Sequence, residues 1–390
     1  MLSARNLYFL WRLLYVGLKP GAVFVSAKFL SAEVANTLSL AIVLSATLMA
    51  SLSFGSYRLL FKYADTDRAN YYEGVRIGIF LFNLFLLIVI AVFLILYEFY
   101  HYEIIVFIGL FIISEHIVHD ESRVYLYQGN REKWARHNFF RSLFIILIPL
   151  GVLIQPEVDL SHWMVVFFVI TLITSVVSGG LLKGSARHGK ILFGSNFYKE
   201  YLRQSNYFLS SFVSKFNQQS DRYLYALISY ETLWIYTLIA QIGSLSLMFF
   251  EMTYMSNFKA NIVKDKNYRF QFLSGPQLKT MSGTILISVL VYAVACTQLT
   301  ELQESLNVIC FVVFVAINLV AATNMLNSEK LFWYLNKPRI FTRIELFSFL
   351  FGHLLIVPIV LMSGLIVIVR IPTLFAYIFK IWNVRKCLKA

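Results

Sequence analysis

The stretch Tyr201–Ile228 reads YLRQSNYFLSSFVSKFNQQSDRYLYALI. As a helix it is long enough to cross a bilayer, yet half of its surface is polar. Arg203, Asn206, Ser210, Ser214, Asn217 and Asp221 recur at i+3 and i+4, so they share one face. Ser211, Lys215, Gln218 and Arg222 make a second stripe beside it, and Phe208, Leu209, Phe212, Val213 and Phe216 take the other side. A charge at the bilayer centre costs at least roughly 2.5–3.5 kcal/mol. The polar half must therefore face a wet cavity or another polar helix. A helix interface glued by Ser, Asn and Gln accounts for the neutral residues. It accounts poorly for Lys215, which lies about 18 Å along the helix from Arg203.

Against the rest of the chain this helix is an exception. Of 390 residues, 58% are hydrophobic, 17% aromatic and 14% charged, and the mean hydropathy is +0.68. Soluble domains carry about 25% charged residues, so the composition is that of an all-α polytopic membrane protein. Apolar runs of about 20 residues predict twelve spans: 7–28, 35–57, 77–97, 104–126, 139–154, 162–182, 203–228, 233–256, 280–299, 305–326, 344–361 and 364–383. The last two come from one long run interrupted by Pro358, Gly364 and Pro372, split at Met362-Ser363-Gly364. Arg12, Lys19 and Pro20 break up the first apolar stretch, which is read as a span and not as a cleavable signal peptide.

The net charge of +13 raises the question of nucleic acid, and its distribution answers it. With the N-terminus inside, most of the 34 Lys and Arg residues fall in cytoplasmic segments. Arg58, Lys62, Arg68 and Arg76 follow span 2; Arg131, Lys133 and Arg136 follow span 4; Lys259, Lys264, Lys266 and Arg269 follow span 8. The outward loops are very short and hold acids, among them Glu33, Glu103, Glu157, Asp159, Glu231, Glu301 and Glu304. Both termini are then cytoplasmic, and no nucleic-acid partner is needed. The basic residues left inside spans are Arg12 and Lys19 in span 1, Lys215 and Arg222 in span 7, and Arg370 in span 12.

Spans 1 and 7 open the two halves, 1–195 and 196–390. A shift of 198 residues brings Tyr8, Arg12 and Lys19 onto Asn206, Ser210 and Asn217, so polar face meets polar face. Six spans per half gives both repeats the same topology, related by an axis along the membrane normal. Span 4 carries Glu115, His116, His119 and Asp120, with Glu115 and His119, and likewise His116 and Asp120, at i and i+4. That spacing suits a proton relay and equally suits a helix end entering the headgroups. Glu251 and His353 read as satisfied helix contacts. Pro20-Gly21 is expected to kink span 1. Cys296, Cys310 and Cys387 have no metal-ligand spacing and form no disulfide framework. Walker A, GxSxG, HExxH and CxxC runs are absent, so no soluble catalytic motif points to an enzyme.

The segment Asn206–Tyr236, NYFLSSFVSKFNQQSDRYLYALISYETLWIY, resembles the middle of polysaccharide flippases of the Wzx type, relatives of the MATE drug exporters and lipid II flippases. Asp221-Arg222, Ser229-Tyr230-Glu231 and Tyr236 hold the places that family fills with Asp-Arg, a small outer loop and a Tyr-containing start of span 8. FLSAEVANTLSLA (Phe29–Ala41), Phe54-Gly55, Arg58, Arg123 with Gly129-Asn130, and Gly364 look similar too, while span 8 lacks the family's frequent Pro near its inner end. The resemblance implies two pseudo-symmetric, MATE-like six-helix bundles around a cavity. It implies alternating-access export of an undecaprenyl-pyrophosphate-linked oligosaccharide across the bacterial inner membrane. A proton or sodium gradient would couple the cycle, with no cofactor. Membrane lipids, and a polymerase and chain-length regulator of the same pathway, would be partners. Arg12, Lys19, Lys215 and Arg222 are expected to hold the anionic headgroup, with Asn206, Asn217 and Gln218 as neutral partners. Asp221, Glu115, His119 and Asp120 are candidates for coupling, and Asp221 alternatively pairs with a nearby Arg. Tyr and Trp side chains would contact sugars while the polyprenyl tail stays in lipid.

Other readings make different demands. An O-antigen polymerase matches in composition but usually carries a sizeable outward loop with Arg residues. A MATE-type drug antiporter wants an acidic cavity. A major-facilitator transporter needs a Gly-x3-Asp-x2-Gly-Arg signature, which Lys62–Arg76 lacks. A structural scaffold has no need of buried charge.

Overall fold

The strongest apolar run, Gly74–Leu96, contains no charge after Arg76 and forms most of one unbroken helix. The computed structural model describes residues 4–53, 69–96, 102–127, 130–177, 195–252, 272–334, 338–354, 356–365 and 368–389. These residues are almost wholly helical, with no strand among them. The helices are α1 (Ala4–Phe29), α2 (Ala32–Ser53), α3 (Ala69–Leu96), α4 (Tyr102–Tyr127), α5 (Arg131–Ser142), α6 (Phe144–Ile154) and α7 (Leu160–Val177). They continue with α8 (Ser195–Ile228), α9 (Leu233–Phe250), α10 (Gly275–Gln298), α11 (Ser305–Tyr334), α12 (Pro338–Leu354), α13 (Val357–Ser363) and α14 (Ile371–Lys389).

Among the described residues, eight segments are long and apolar enough to cross a membrane: α2, α3, α4, α5 joined to α6, α9, α10, α11, and α12 joined to α13. The chain is thus an all-α protein built of several membrane-competent helices. The helices outside that set have physical reasons to be there. α1 carries Arg12, Lys19 and Lys28, α8 carries its polar stripes, and α14 ends in basic residues. α7 is apolar but short. On α3, Phe85, Ile88, Ile90 and Phe93 are at least half exposed; on α10, Leu286, Leu290 and Val294 form an exposed stripe at i, i+4 and i+8. Apolar surface of this extent is suited to lipid.

Helix ends follow local chemistry. Ser274-Gly-Pro-Gln277 makes a capping box at the start of α10, where the Ser274 amide donates to Gln277 Oε1 at 2.7 Å. Asn130 caps α5 by accepting from the Lys133 amide at 3.0 Å. Gly364, at φ 62°, ends α13 in the left-handed conformation that favours glycine. The predicted split at Met362-Ser363-Gly364 therefore falls at a real helix end. Two expectations change. The fifth span is longer than 139–154, because the polar helix α5 runs into apolar α6 with Leu143 still in the right-handed helical region. Arg370 lies in the turn just before α14 and not within the last helix, because Pro372, which has no amide to donate, belongs to a first helical turn. α1 runs through Pro20 without a break in its helical assignment.

The chain divides into two compact units, Met1–Phe212 and Val213–Ala390, with the division inside α8. In the first unit α1 packs on α2, α5 and α6; α2 packs on α3 and α4; α4 packs on α3, α5 and α7; and α6 packs on α7. In the second, α9 packs on α10 and α11, α11 on α12 and α14, and α12 on α14. Counting α5–α6 and α12–α13 as single rods, every one of these second-unit pairings has its counterpart in the first. The cores agree as well. Leu52, Ile77, Phe80, Ile112 and Ile117 join α2, α3 and α4; Phe250, Met281, Ala322 and Leu326 join α9, α10 and α11. The 198-residue shift puts Leu52 on Phe250.

Candidate functional site

In the first unit, α1 and α4 run antiparallel and exchange two polar contacts one turn apart. Lys19 Nζ donates to Glu115 Oε2 at 2.6 Å, and Tyr15 OH lies 2.9 Å from His119 Nε2. The second expected pair of span 4 is used differently: the His116 ring stacks on Phe80, with centroids 4.9 Å apart. Ser45 of α2 reaches the same carboxylate, its hydroxyl 3.2 Å from Glu115 Oε2 and 2.9 Å from the carbonyl of Ile42. The Glu115 side chain is fully buried, whereas Lys19 is 22% exposed. Arg12 lies over the Trp134 ring of α5, 4.4 Å from its centroid, and 5.8 Å from that of Tyr15. A cation held on an indole face keeps its charge while shedding little water.

In the second unit, Arg370 Nη1 donates to Asp221 Oδ2 at 2.7 Å, so the alternative foreseen for Asp221, a nearby Arg, is what the structure contains. The same oxygen accepts from Tyr236 OH at 2.9 Å, and Arg370 Nη2 donates to Asn318 Oδ1 at 3.2 Å. The guanidinium stands 3.3 Å from the centroid of Phe314. Asn318 is itself fixed to α9 through the Gly243 carbonyl and Ser246. Next to this pair, Ser220 Oγ lies 3.1 Å from Thr373 Oγ1, and Thr373 donates weakly to the carbonyl of Asn217. One residue beyond Asp221, Arg222 is buried, and its hydrogen bond goes to the neutral Gln219. Lys215, two turns earlier, is exposed and donates to Gln218 at 3.2 Å.

The predicted site residues thus separate into groups. Lys19, Glu115 and His119 come together on the α1–α4 contact, with Arg12 above Trp134. Lys215, Gln218 and Arg222 remain on one stripe of α8, while Asn217 and Asp221 turn into the helix contacts of the second unit. The side chains of Asn206 and Asp120 lie outside the described residues, as do the inner segments 54–68, 178–194 and 253–271 with most of the predicted cytoplasmic basic residues. Among the described residues no group of three His, Cys, Asp or Glu side chains could hold a metal ion.

Sequence reasoning missed two participants. Lys380 falls near the inner end of the span predicted at 364–383, just ahead of the basic Arg385, Lys386 and Lys389, yet it is buried and bonded to Glu345 across the α12–α14 contact. Asn318 gave no signal, because a single Asn in an apolar helix is an ordinary interface residue. Comparison with known proteins found no matching family model, no matching curated protein and no matching solved structure.

Proposed function

We propose that this chain is a flippase of the Wzx type, moving undecaprenyl-pyrophosphate-linked oligosaccharide units of O-antigen or capsule across the bacterial inner membrane. In this reading it has twelve spans in two pseudo-symmetric six-helix bundles, both termini are cytoplasmic, and transport proceeds by alternating access. The matched packing order of the two units supports the duplication.

The observation that carries the proposal is Arg222, a buried guanidinium whose hydrogen-bond partner is an uncharged amide. The buried carboxylate beside it, Asp221, is already bonded to Arg370, and burying a cation whose counter-ion is shared with another cation is costly. A site of this kind is suited to an anion that comes and goes, and a pyrophosphate suits the planar fork of arginine. Lys215 lies about 10 Å along the same stripe, exposed, where an arriving headgroup meets it first. The buried carboxylates argue against a drug antiporter: Glu115, Asp221 and Glu345 are already neutralised by Lys19, Arg370 and Lys380. A polymerase is disfavoured by the shortness of the connections assigned to the outside, such as those joining α1 to α2 and α8 to α9.

A gel of surface lipopolysaccharide or capsule from a clean deletion strain, with and without the wild-type gene, tests this. The flippase reading expects loss of surface repeat units and accumulation of lipid-linked single units inside. A surface core capped with one repeat unit would make the chain a polymerase. An unchanged glycan would overturn both.

A further inference from the structure

The Lys19–Glu115 pair is lopsided in a way that has a chemical consequence. The lysine is partly exposed and the carboxylate is not, so an incoming ligand reaches the cation and never the anion. Lysine's ammonium sits on a flexible stem and can swing to a new partner. Glu115 has no such freedom on the buried face of α4, and its second oxygen, Oε1, is buried without a hydrogen-bond partner. A buried carboxylate that loses its counter-ion is neutralised by a proton.

The surroundings accept either protonation state. Ser45 has one hydroxyl proton and two acceptors within reach, Glu115 Oε2 and the Ile42 carbonyl. When Glu115 is ionised, Ser45 donates to it. When Glu115 is protonated, its hydroxyl donates to Ser45 Oγ, and Ser45 turns its own proton to Ile42. Glu115 Oε2 and the Ser45 hydroxyl are paired in both arrangements, and Oε1 is the oxygen left without a partner in either.

The other charged groups around α4 are engaged elsewhere. On α1, Tyr15 holds His119 and Arg12 lies over Trp134. On α5, His137 meets the Tyr125 ring and Arg141 donates to the Thr171 carbonyl of α7. Arg76 of α3 is buried near the start of that helix. The described ionisable groups of α2 and α7, Glu33 and His162, stand at the beginnings of those helices, where both are exposed. On α4 itself, His116 stacks on Phe80, Glu103 is exposed at the first turn, and the side chains of Asp120, Glu121 and Arg123 lie outside the described residues.

We propose that Lys19–Glu115 is an exchange pair: a pyrophosphate headgroup draws the Lys19 ammonium to itself, and Glu115 takes up one proton from solvent as its partner leaves. Anion binding and proton uptake are thereby coupled in one step, with one proton bound at Glu115 for each anion held by Lys19. The inference rests on the anionic substrate proposed above and adds a proton bound in step with that anion and the residue that binds it.

The test uses the purified full chain in lipid nanodiscs, with geranyl pyrophosphate as probe. Binding is measured by calorimetry in two buffers of different ionisation enthalpy, which counts protons taken up per probe bound. Wild type is expected to take up one proton more than Glu115→Gln, in which the probe's own titration is unchanged. Lys19→Gln is expected to bind roughly 10- to 100-fold more weakly, and Lys19→Arg to keep both binding and proton uptake. Binding with equal proton counts in wild type and Glu115→Gln overturns the exchange pair and leaves the anionic substrate standing. No binding of the probe by any of these folded proteins overturns the anionic substrate and the exchange pair together.

Discussion

Each unit holds an ion pair between its helices, Lys19–Glu115 in the first and Asp221–Arg370 in the second, and the two pairs are built differently. In the first unit the cation comes from the opening helix and the anion from α4; in the second the anion comes from α8 and the cation from the turn before α14. Arg370 is clasped by Asp221, Asn318 and the Phe314 ring, and its anion accepts a further bond from Tyr236. Lys19 has one carboxylate partner and is partly exposed. A buried pair satisfied on every side is a fixture, because separating it strands two charges. A pair with one partly exposed member, on a flexible stem, is open to exchange. The first unit thus holds an open pair, while the second holds the sealed Asp221–Arg370 pair beside the buried Lys380–Glu345 pair.

The sharpest way to break that contrast is to cut the sealed pair. Asp221→Asn leaves the Arg370 guanidinium buried without its anion and is expected to destabilise the protein by about 3–5 kcal/mol. The double variant Asp221→Leu/Arg370→Met is expected to recover most of the loss, since apolar side chains of similar size replace a buried pair at little cost. Unfolding midpoints in mixed detergent compare the three proteins. A single variant as stable as wild type would mean the second pair is no more sealed than the first.

A smaller effect concerns the helices that carry the cations. A Cβ on Gly352 of α12 would stand 2.5 Å from the Pro372 carbonyl oxygen and 2.8 Å from the Ala376 amide nitrogen. Backbone cannot rotate aside, so Gly352→Ala is expected to cost up to about 3 kcal/mol and to loosen the α12–α14 contact that holds Lys380 to Glu345. In the first unit Gly151 meets the Trp163 ring at 2.6 Å, a side chain that can turn. Gly151→Ala is expected to cost less, and the same midpoints check the order.

Much of this was legible in the sequence, because bilayer physics writes on single segments. The apolar runs located the helices, Gly364 marked a break, and the i+3 and i+4 spacing exposed the polar stripes of α8. Pairings across helices were hidden for the complementary reason. Lys19 and Glu115 are 96 residues apart, Asp221 and Arg370 149, and Glu345 and Lys380 35, and periodicity within one helix carries no information over such distances. Lys380 looked cytoplasmic because Arg385, Lys386 and Lys389 follow it. Arg222 and Asp221, adjacent in sequence, fell on different stripes because a helix turns about 100° per residue, and the structure gives them different hydrogen-bond partners.

Cutting the open pair is expected to do less than either change above. Lys19→Met strands Glu115, but a proton can neutralise it, so the loss of stability is set at about 1.5 kcal/mol. Unfolding midpoints of Lys19→Met and Asp221→Asn compare the two pairs directly. A loss in Lys19→Met as large as that in Asp221→Asn would put Lys19–Glu115 in the same class as Asp221–Arg370.

The least effect on stability is expected at Lys215, and it makes the cleanest separation of folding from transport. Lys215 is exposed and hydrogen-bonded to the neutral Gln218, so Lys215→Glu should move the unfolding midpoint by no more than about 0.5 kcal/mol. The reversed charge nevertheless stands on the stripe that leads to Arg222. It repels a pyrophosphate and offers Arg222 a competing carboxylate. On the flippase reading proposed above, export of repeat units in the complemented deletion strain is expected to fail while the protein accumulates normally in the membrane. Intact export by Lys215→Glu would remove the second stripe of α8 from the substrate path and with it the role given to Arg222. A stable but inactive variant would separate, in one molecule, the charges that hold the helices together from those that meet the substrate.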